Sequence, residues 1–141
     1  MKKYTKYALS QIKEHGYKLT DARQEVVETL AGFDKPVSPY DIQRAIKSER
    51  GLNHVTIYRI LEMLMELHLV HKVANGGFIK CSIPEADGCH HFLICDDCGD
   101  TQEFIDDDGC HLHLPSNLKN KFHIKSHTYE IAGLCNTCFK K

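Results

Sequence analysis

No hydrophobic run in this sequence is long enough to cross a membrane. No segment approaches the ~20 apolar residues of a membrane-spanning helix, and MKKYTKYALSQIK lacks the continuous apolar stretch of a signal peptide. We therefore expect a cytoplasmic protein with no membrane partner. The sequence also lacks a recognisable Ser–His–Asp arrangement, phosphate loop or paired-carboxylate pocket, so it predicts neither an enzyme nor an organic cofactor.

Cysteine and histidine, in contrast, are abundant: the 141 residues include seven cysteines and ten histidines. In a reducing compartment such cysteines serve as metal ligands or redox groups more often than as a disulfide framework. A disulfide-exchanging enzyme would place a CxxC motif in a thioredoxin-like βαβ context, and this sequence shows none. The composition therefore favours metal binding.

The net charge of −1 conceals an uneven distribution of charge along the chain. Residues 1–83 contain 13 Lys and Arg against 9 Asp and Glu, whereas residues 84–141 contain 5 against 10. The acidic second part also holds six of the seven cysteines and six of the ten histidines. This asymmetry indicates two modules, one that contacts a polyanion and one that holds metal.

Residues 1–83 have the pattern of a winged helix-turn-helix. The chain offers four helix signals: residues 3–15; LTDARQEVVETLAGF, capped by Thr20; SPYDIQRAIKSERG, capped by Ser38 with Pro39 first and Gly51 last; and NHVTIYRILEMLMELHLV. The strands LVHKVA and FIKCSI follow, joined by Asn75-Gly76-Gly77, a hairpin signal. Helices that close on a two-stranded hairpin predict this fold, with the last helix as the recognition element.

The remainder of the chain reads as a linker followed by a small α/β domain. Residues 84–89 have the composition of a hinge linker, which would join a domain over 1–83 to one over 90–141. HFLIC, DTQEFI and HTYEIAGL look like strands, and LPSNLKNKF looks like a short helix that begins at Ser116. The predicted fold class is α+β. The apolar content of the second domain is thin, so metal is expected to stabilise it.

The strongest motif is a pair of CxxC sequences near the two ends of this second domain. Cys95-x-x-Cys98 and Cys135-x-x-Cys138 supply four thiolates, the usual donor set of tetrahedral structural zinc. The spacing therefore predicts a closed zinc site.

The predicted hairpin and the strand after the linker suggest a second site. A three-residue loop over 75–77 would set His71 directly opposite Cys81, with Cβ atoms ~4.5–5.5 Å apart. His90, just across the linker, is a natural third ligand for the same ion. A carboxylate such as Glu103 on the following strand could complete a tetrahedron.

Two further ligands belong to neither of these sets. Because side chains alternate along a strand, Cys89 and His91 point to one face and His90 points to the other. Their possible partners are Cys110, His111, His113, His123 and His127. Spacing alone does not choose among them.

At this point the sequence resembles the ferric uptake regulator superfamily over nearly its whole length. The matching features are LTDARQEVVETL, VTIYRILEML, LVHKV before a wing, HFLICDDCG and the terminal GLCNTC. The resemblance implies a homodimeric, metal-activated repressor of transcription that binds double-stranded operator DNA. It also implies an N-terminal winged helix joined to a small C-terminal α/β dimerisation domain.

The resemblance assigns the candidate ligands by position, and it is closest to the zinc uptake regulator branch. It implies structural zinc at Cys95, Cys98, Cys135 and Cys138; regulatory metal at His71, Cys81, His90 and Glu103; and a second regulatory metal at Cys89, His91, Cys110 and His127. Cys110 departs from the pattern because glutamate usually occupies its position, so His111 or His113 remains an alternative. Up to three zinc ions per chain are therefore expected.

DNA contacts are expected from the recognition helix. Tyr58 and Arg59 fall at positions that contact DNA in the family. Arg59 can pair with guanine O6 and N7, and Tyr58 can pack on a thymine methyl group. Asn53 or Thr56 can cap the helix, whose first turn enters the major groove.

The expected function is zinc-responsive repression at an inverted-repeat operator. Thiolates outside the structural site favour zinc over iron(II) or manganese(II). In the family, the iron and peroxide sensors usually place a histidine just before the cap of the second helix, and this chain has Pro36 in that region. An iron- or peroxide-responsive regulator remains the alternative within the family, and a zinc storage or delivery protein is the alternative from another class.

Overall fold

The computed structural model describes residues 2–48, 51–86, 88–106 and 114–141. These residues form an α+β protein that divides into two compact units, unit 1 (Met1–Pro84) and unit 2 (Glu85–Lys141). The elements are α1 (Lys3–Glu14), α2 (Asp21–Leu30), α3 (Pro39–Ala45), α4 (His54–Glu66), β1 (Val70–Lys72), β2 (Phe78–Lys80), β3 (His90–Cys95), β4 (Thr101–Ile105), β5 (Glu130–Gly133) and α5 (Asn136–Phe139). No helix in this part of the chain has both the length and the apolar character needed to span a bilayer. The hinge role of residues 84–89 stays a prediction.

The helices of unit 1 begin where their capping residues predict. The Thr20 hydroxyl accepts a hydrogen bond from the backbone N–H of Arg23, at 3.2 Å. At α3, Ser38 accepts from the N–H of Asp41, whose carboxylate accepts from the N–H of Ser38 in return. These contacts satisfy backbone donors that have no partner within the helix.

The prediction that α3 continues to Gly51 is wrong, because the helix ends at Ala45. Ile46 takes an extended conformation with ψ of 125°. The side chain of Gln43 donates to the carbonyl oxygen of Leu52, at 2.9 Å, and so fixes the returning chain. The early end lets both Ile46 and Leu52 pack against the core of unit 1.

The core of unit 1 draws on all four helices and the wing. Its side chains with at most 1% exposure are Ala8, Ile12, Val26, Val27, Leu30, Ile42, Ile57, Leu61, Leu64, Leu69 and Phe78. Those from α4 lie at helical spacing, which leaves the opposite face of that helix in solvent. The core therefore fixes which residues of α4 face solvent.

The wing pairs β1 with β2 in an antiparallel ladder whose register differs from the prediction by two residues. His71 lies opposite Ile79 and not opposite Cys81. The loop closes earlier than predicted because Gly76, with φ of 89°, takes the left-handed position that a three-residue hairpin loop requires. A shift of two residues preserves the face, so His71 and Cys81 still lie on the same side of the wing.

Unit 2 is built on a three-stranded sheet in the order β4–β3–β5. β3 pairs antiparallel with β4 and parallel with β5, which places Cys95 beside Gly133. The predicted strands HFLIC and DTQEFI are confirmed, whereas of HTYEIAGL only Glu130–Gly133 forms a strand. The short helix α5 was not among the predicted elements.

The predicted helix that begins at Ser116 is wrong. Turns occupy residues 116–121, with hydrogen bonds from the N–H of Leu118 to Pro115 and from that of Lys121 to Leu118. Every residue from 115 to 126 is exposed. A short segment with no apolar face to bury has little to hold it in a helix.

Candidate metal centres and nucleic-acid interface

Two CxxC motifs meet at one end of the sheet in unit 2. Cys95 ends β3, and Cys98 lies in the turn that Gly99 closes with φ of 78°. Cys135 caps α5, and Cys138 lies within it. Because β3 and β5 are parallel, the segments that follow them leave the sheet at the same edge, which brings the motifs together.

The four sulfur atoms of this cluster have the spacing of a zinc site. All lie within 4.8 Å of one another, and Sγ of Cys98 is 3.8 Å from Sγ of Cys135. Tetrahedral zinc with Zn–S bonds of ~2.3 Å has sulfur atoms about 3.8 Å apart. The donor set thus has the residue types and the approximate spacing of a zinc site.

The charge state of the cluster also suits a cation. Backbone N–H groups, first that of Cys135 and then that of Cys98, lower the pKa of Cys95 to about 6. The pKa of Cys138 is raised, because its thiol hydrogen-bonds first to Cys135 and because it is buried. Thiolate charge and a retained proton therefore coexist in a confined space, and a divalent cation would replace the proton.

A second pair of donors in unit 2 comes from β3 and β4. Nδ1 of His90 lies 2.5 Å from Oε2 of Glu103, and Nε2 of His90 lies 3.1 Å from the carbonyl oxygen of Ala86. Both ring nitrogens thus face oxygen acceptors, and the two side chains are 14% and 4% exposed. The distance at Nδ1 is that of a hydrogen bond, and a metal ion held by both side chains would take the place of its proton.

The wing of unit 1 holds a third pair of donors, His71 and Cys81. Despite the register shift, a ring nitrogen of His71 and Sγ of Cys81 lie within 4.8 Å of each other. Cys81 is 1% exposed, and its N–H donates to the carbonyl oxygen of Leu69, at 2.9 Å. One imidazole and one thiol on one face form half of a tetrahedral site.

The predicted second regulatory site is only partly assembled among the described residues. His91 and His127 lie together, with ring centroids 5.0 Å apart. Cys89 is disulfide-bonded, so the prediction that it supplies a thiolate is not met in this structure. Cys110, like the alternatives His111 and His113, lies outside the described residues.

The structure adds Asp106, which sequence reasoning missed, to this histidine pair. Oδ2 of Asp106 lies 2.8 Å from Nε2 of His91 and 3.5 Å from Nε2 of His127. Asp106 is the first of three consecutive aspartates, which from sequence alone look like an exposed turn. Its proximity to His91 depends on the pairing of β3 with β4, which the sequence does not give. The backbone N–H of Tyr129 donates to Nδ1 of His91, at 2.8 Å, so Nε2 carries the proton that Asp106 accepts. As it stands, His91 suits this hydrogen bond better than a metal ion.

The candidate recognition helix is α4. The side chain of Asn53 accepts a hydrogen bond from the backbone N–H of Thr56, at 2.8 Å. Of the two predicted caps, Asn53 is therefore the one that caps the helix. Tyr58 and Arg59 are both exposed, one turn into the helix. The helix thus presents its capped first turn and these side chains to solvent, as a major-groove helix must.

Two residues of the wing, Phe78 and Lys72, contact Tyr58. Its ring meets the ring of Phe78 edge-on, with centroids 5.8 Å apart at 88°. The ammonium group of Lys72 lies 5.7 Å from the centroids of both rings. Sequence reasoning missed this support, because it depends on the wing register.

An exposed recognition helix on the same chain as a four-cysteine metal site defines the class of metal-dependent, DNA-binding regulators. Known proteins agree with that class. The model of the ferric uptake regulator family matches residues 14–132. The ferric uptake regulation protein of Staphylococcus epidermidis is 30% identical over 139 residues, 97% of either chain. The chain therefore belongs to the ferric uptake regulator family.

Solved structures show the same fold. That of holo XcZur is 29% identical, covers 98% of both chains and has a TM-score of 0.76. That of a zinc uptake regulator complexed with zinc and DNA is 22% identical, has a TM-score of 0.79 and covers 99% of this chain and 97% of its own. Membership makes this chain a metal-responsive regulator of transcription and not an enzyme.

Proposed function

We propose that this protein is a zinc-responsive repressor that binds an inverted-repeat operator as a homodimer when its regulatory site holds zinc. The observation that carries the proposal is the pair of His71 and Cys81 on one face of the wing. A buried thiol alone is commonly a small apolar group, but a thiol within 4.8 Å of an imidazole nitrogen forms a donor pair that suits zinc. The similarity to holo XcZur supports this choice.

The donor types favour zinc over other metals. Thiolate and imidazole ligands suit zinc, whereas iron(II) and manganese(II) sensing would normally rely on nitrogen and oxygen donors. The four-cysteine cluster would hold a separate, structural zinc ion that stabilises unit 2 whether or not the cell is zinc-replete.

The regulatory ligands would come from both units. His71 and Cys81 belong to unit 1, and His90 and Glu103 belong to unit 2. An ion bonded to all four stabilises whichever arrangement of the units brings them together, and so shifts the population toward it. If that arrangement also spaces the two α4 helices of a dimer about one DNA turn apart, zinc and operator bind cooperatively.

Recognition of the operator would depend on α4. Arg59 would form a bidentate pair with guanine, and Tyr58 would contact a thymine methyl group beside it. Thr56 would lie in the capped first turn, close to the floor of the groove. We expect these contacts in the cytoplasm, where a bacterial-type regulator meets its operators.

An exposed apolar surface on the described part of unit 2 supports the homodimer. Leu93 and Ile131, which are paired in β3 and β5, are 45% and 48% exposed, and Leu134, which follows β5, is 54% exposed. β5 is an edge strand in the described sheet. An apolar edge of this kind is usually covered by another chain.

A third zinc ion depends on Cys89. His127 and Asp106 offer donors for the second regulatory site, and His91 would join them only by giving up the Nε2 proton that Asp106 accepts. While Cys89 is disulfide-bonded it offers no thiolate. We therefore propose two zinc ions per chain in this state and a third only after Cys89 is reduced.

An iron-responsive regulator is the second candidate, because the relatives at 30% identity are named ferric uptake regulation proteins. Fluorescence anisotropy of an inverted-repeat operator, at fixed salt and with buffered free metal, separates the two. Tightening at far lower free zinc than iron(II) or manganese(II) supports zinc. Activation by iron(II) at its cellular level would favour the second candidate, and binding of zinc without any operator preference would favour zinc storage.

A further inference from the structure

The wing determines how Tyr58 is presented to DNA. Tyr58 is 37% exposed, whereas Phe78, which it meets edge-on, is 1% exposed and belongs to the core. The phenol ring therefore has a fixed support on one side and solvent on the other. An edge-to-face contact at 5.8 Å restrains the ring only partly, because the exposed side is open.

Lys72 adds a second restraint, because its ammonium nitrogen is equally distant from the centroids of the two rings and lies beside the hydroxyl group of Tyr58. It lies directly opposite Phe78 in the wing ladder, so both side chains lie on the same face of the hairpin. Its ammonium nitrogen lies 5.7 Å from the centroid of Tyr58 and 3.5 Å from the phenol oxygen. The cation can therefore act on the ring and on the hydroxyl group at once.

We propose that Lys72 is a positioning residue that fixes the ring of Tyr58 for contact with an operator base, and thereby contributes to sequence specificity. This inference rests on the proposed role of Tyr58 in base recognition. Lys72 itself reads no base. It restrains the side chain of Tyr58 before DNA binds, so that less side-chain entropy is lost on binding.

A lysine near DNA has an obvious second role, which is contact with a phosphate. That role carries no sequence information, so its loss weakens binding to operator and random DNA alike. It also reduces the slope of log affinity against log salt concentration by about one. Positioning of Tyr58 acts only where the base contact is made. The ratio of operator affinity to random-DNA affinity therefore distinguishes the two roles.

The experiment measures this ratio for the zinc-loaded full chain by anisotropy competition. The variants are Lys72→Gln, Lys72→Arg, Tyr58→Leu and the double variant Lys72→Gln/Tyr58→Leu. Lys18→Gln is the control for the loss of one positive charge, because Lys18 is also exposed but lies far from Tyr58 in sequence. Thermal unfolding of each variant confirms that unit 1 is folded.

We expect Lys72→Gln to lower the ratio about two- to fivefold, the range of an exposed cation–π contact. Lys72→Arg should retain the ratio, since a guanidinium group also lies well over an aromatic ring. Lys18→Gln should leave it unchanged. In the Tyr58→Leu background, loss of Lys72 should lower the ratio no further.

Two results would overturn the inference in distinguishable ways. If Lys72→Gln weakens both DNAs equally while Tyr58→Leu lowers the ratio, Lys72 contacts only phosphate and the role of Tyr58 stands. If Tyr58→Leu also leaves the ratio unchanged, Tyr58 reads no base, and that part of the proposed function fails together with the inference.

Discussion

Loss of one thiolate from the four-cysteine cluster should unfold unit 2 while unit 1 stays folded. The described residues of unit 2 bury few side chains, namely Cys89, His91, Phe92, Cys95 and Cys138. Phe92 is the one large apolar side chain among them, and its burial contributes at most about 3 kcal/mol. Ordering each residue of a chain costs roughly 1–2 kcal/mol, so apolar burial within this unit is far too small to hold it folded.

Zinc, together with the proposed dimer interface, must then supply most of the stability of unit 2. Structural zinc contributes on the order of 10–16 kcal/mol in small zinc-binding peptides, and a Cys138→Ser variant would lose much of that contribution. We expect amide hydrogens of β3 to exchange at nearly the unfolded rate in this variant. The amide hydrogens of α4 should stay protected, because Cys138→Ser removes nothing from the core of unit 1.

Hydrogen exchange followed by mass spectrometry resolves the two units in a single experiment. Cys81→Ala is the matched control, since it also removes a buried thiol but leaves the cluster intact. The reasoning would be refuted if β3 in Cys138→Ser kept its protection. Equal loss of protection in Cys81→Ala and Cys138→Ser would show that Cys81 is structural and not regulatory.

Three further predictions concern binding. Arg59→Ala should weaken operator binding by about 1–3 kcal/mol in anisotropy titrations; an equal loss on random DNA would show contact with phosphate alone. Operator DNA should raise zinc affinity by the factor by which zinc raises operator affinity, roughly 5–150; unequal factors in competition with a zinc chelator would contradict coupling between the sites. Anaerobic reduction of Cys89 should raise zinc content from about two to about three per chain in equilibrium dialysis, because a thiolate then joins His91 and His127; unchanged content would remove the third site.

Local signals predicted most of the fold. Thr20 and Ser38 cap their helices as expected, since the contacts that fix a helix start lie within three residues of it. The end of α3 was wrong because tertiary contacts of Ile46 and Leu52 decide it. No local pattern contains that information.

The candidate sites show the same division. The CxxC motifs could be recognised from spacing, because each knuckle is local and the pairing of two such motifs is typical of zinc. The wing pair was predicted on the correct face but in the wrong register, because a single glycine in the loop sets that register. Asp106 was missed since its proximity to His91 depends on how β3 pairs with β4.

The most direct test of zinc sensing by the wing is the zinc dependence of operator binding in Cys81→Ala. Its unit 2 retains the four-cysteine cluster, so the variant should stay folded and should bind structural zinc. The account predicts that buffered zinc no longer tightens operator binding, as measured by anisotropy beside the unmodified protein. Tightening by the normal factor at the normal free zinc concentration would show that the regulatory ion lies elsewhere and would contradict the account.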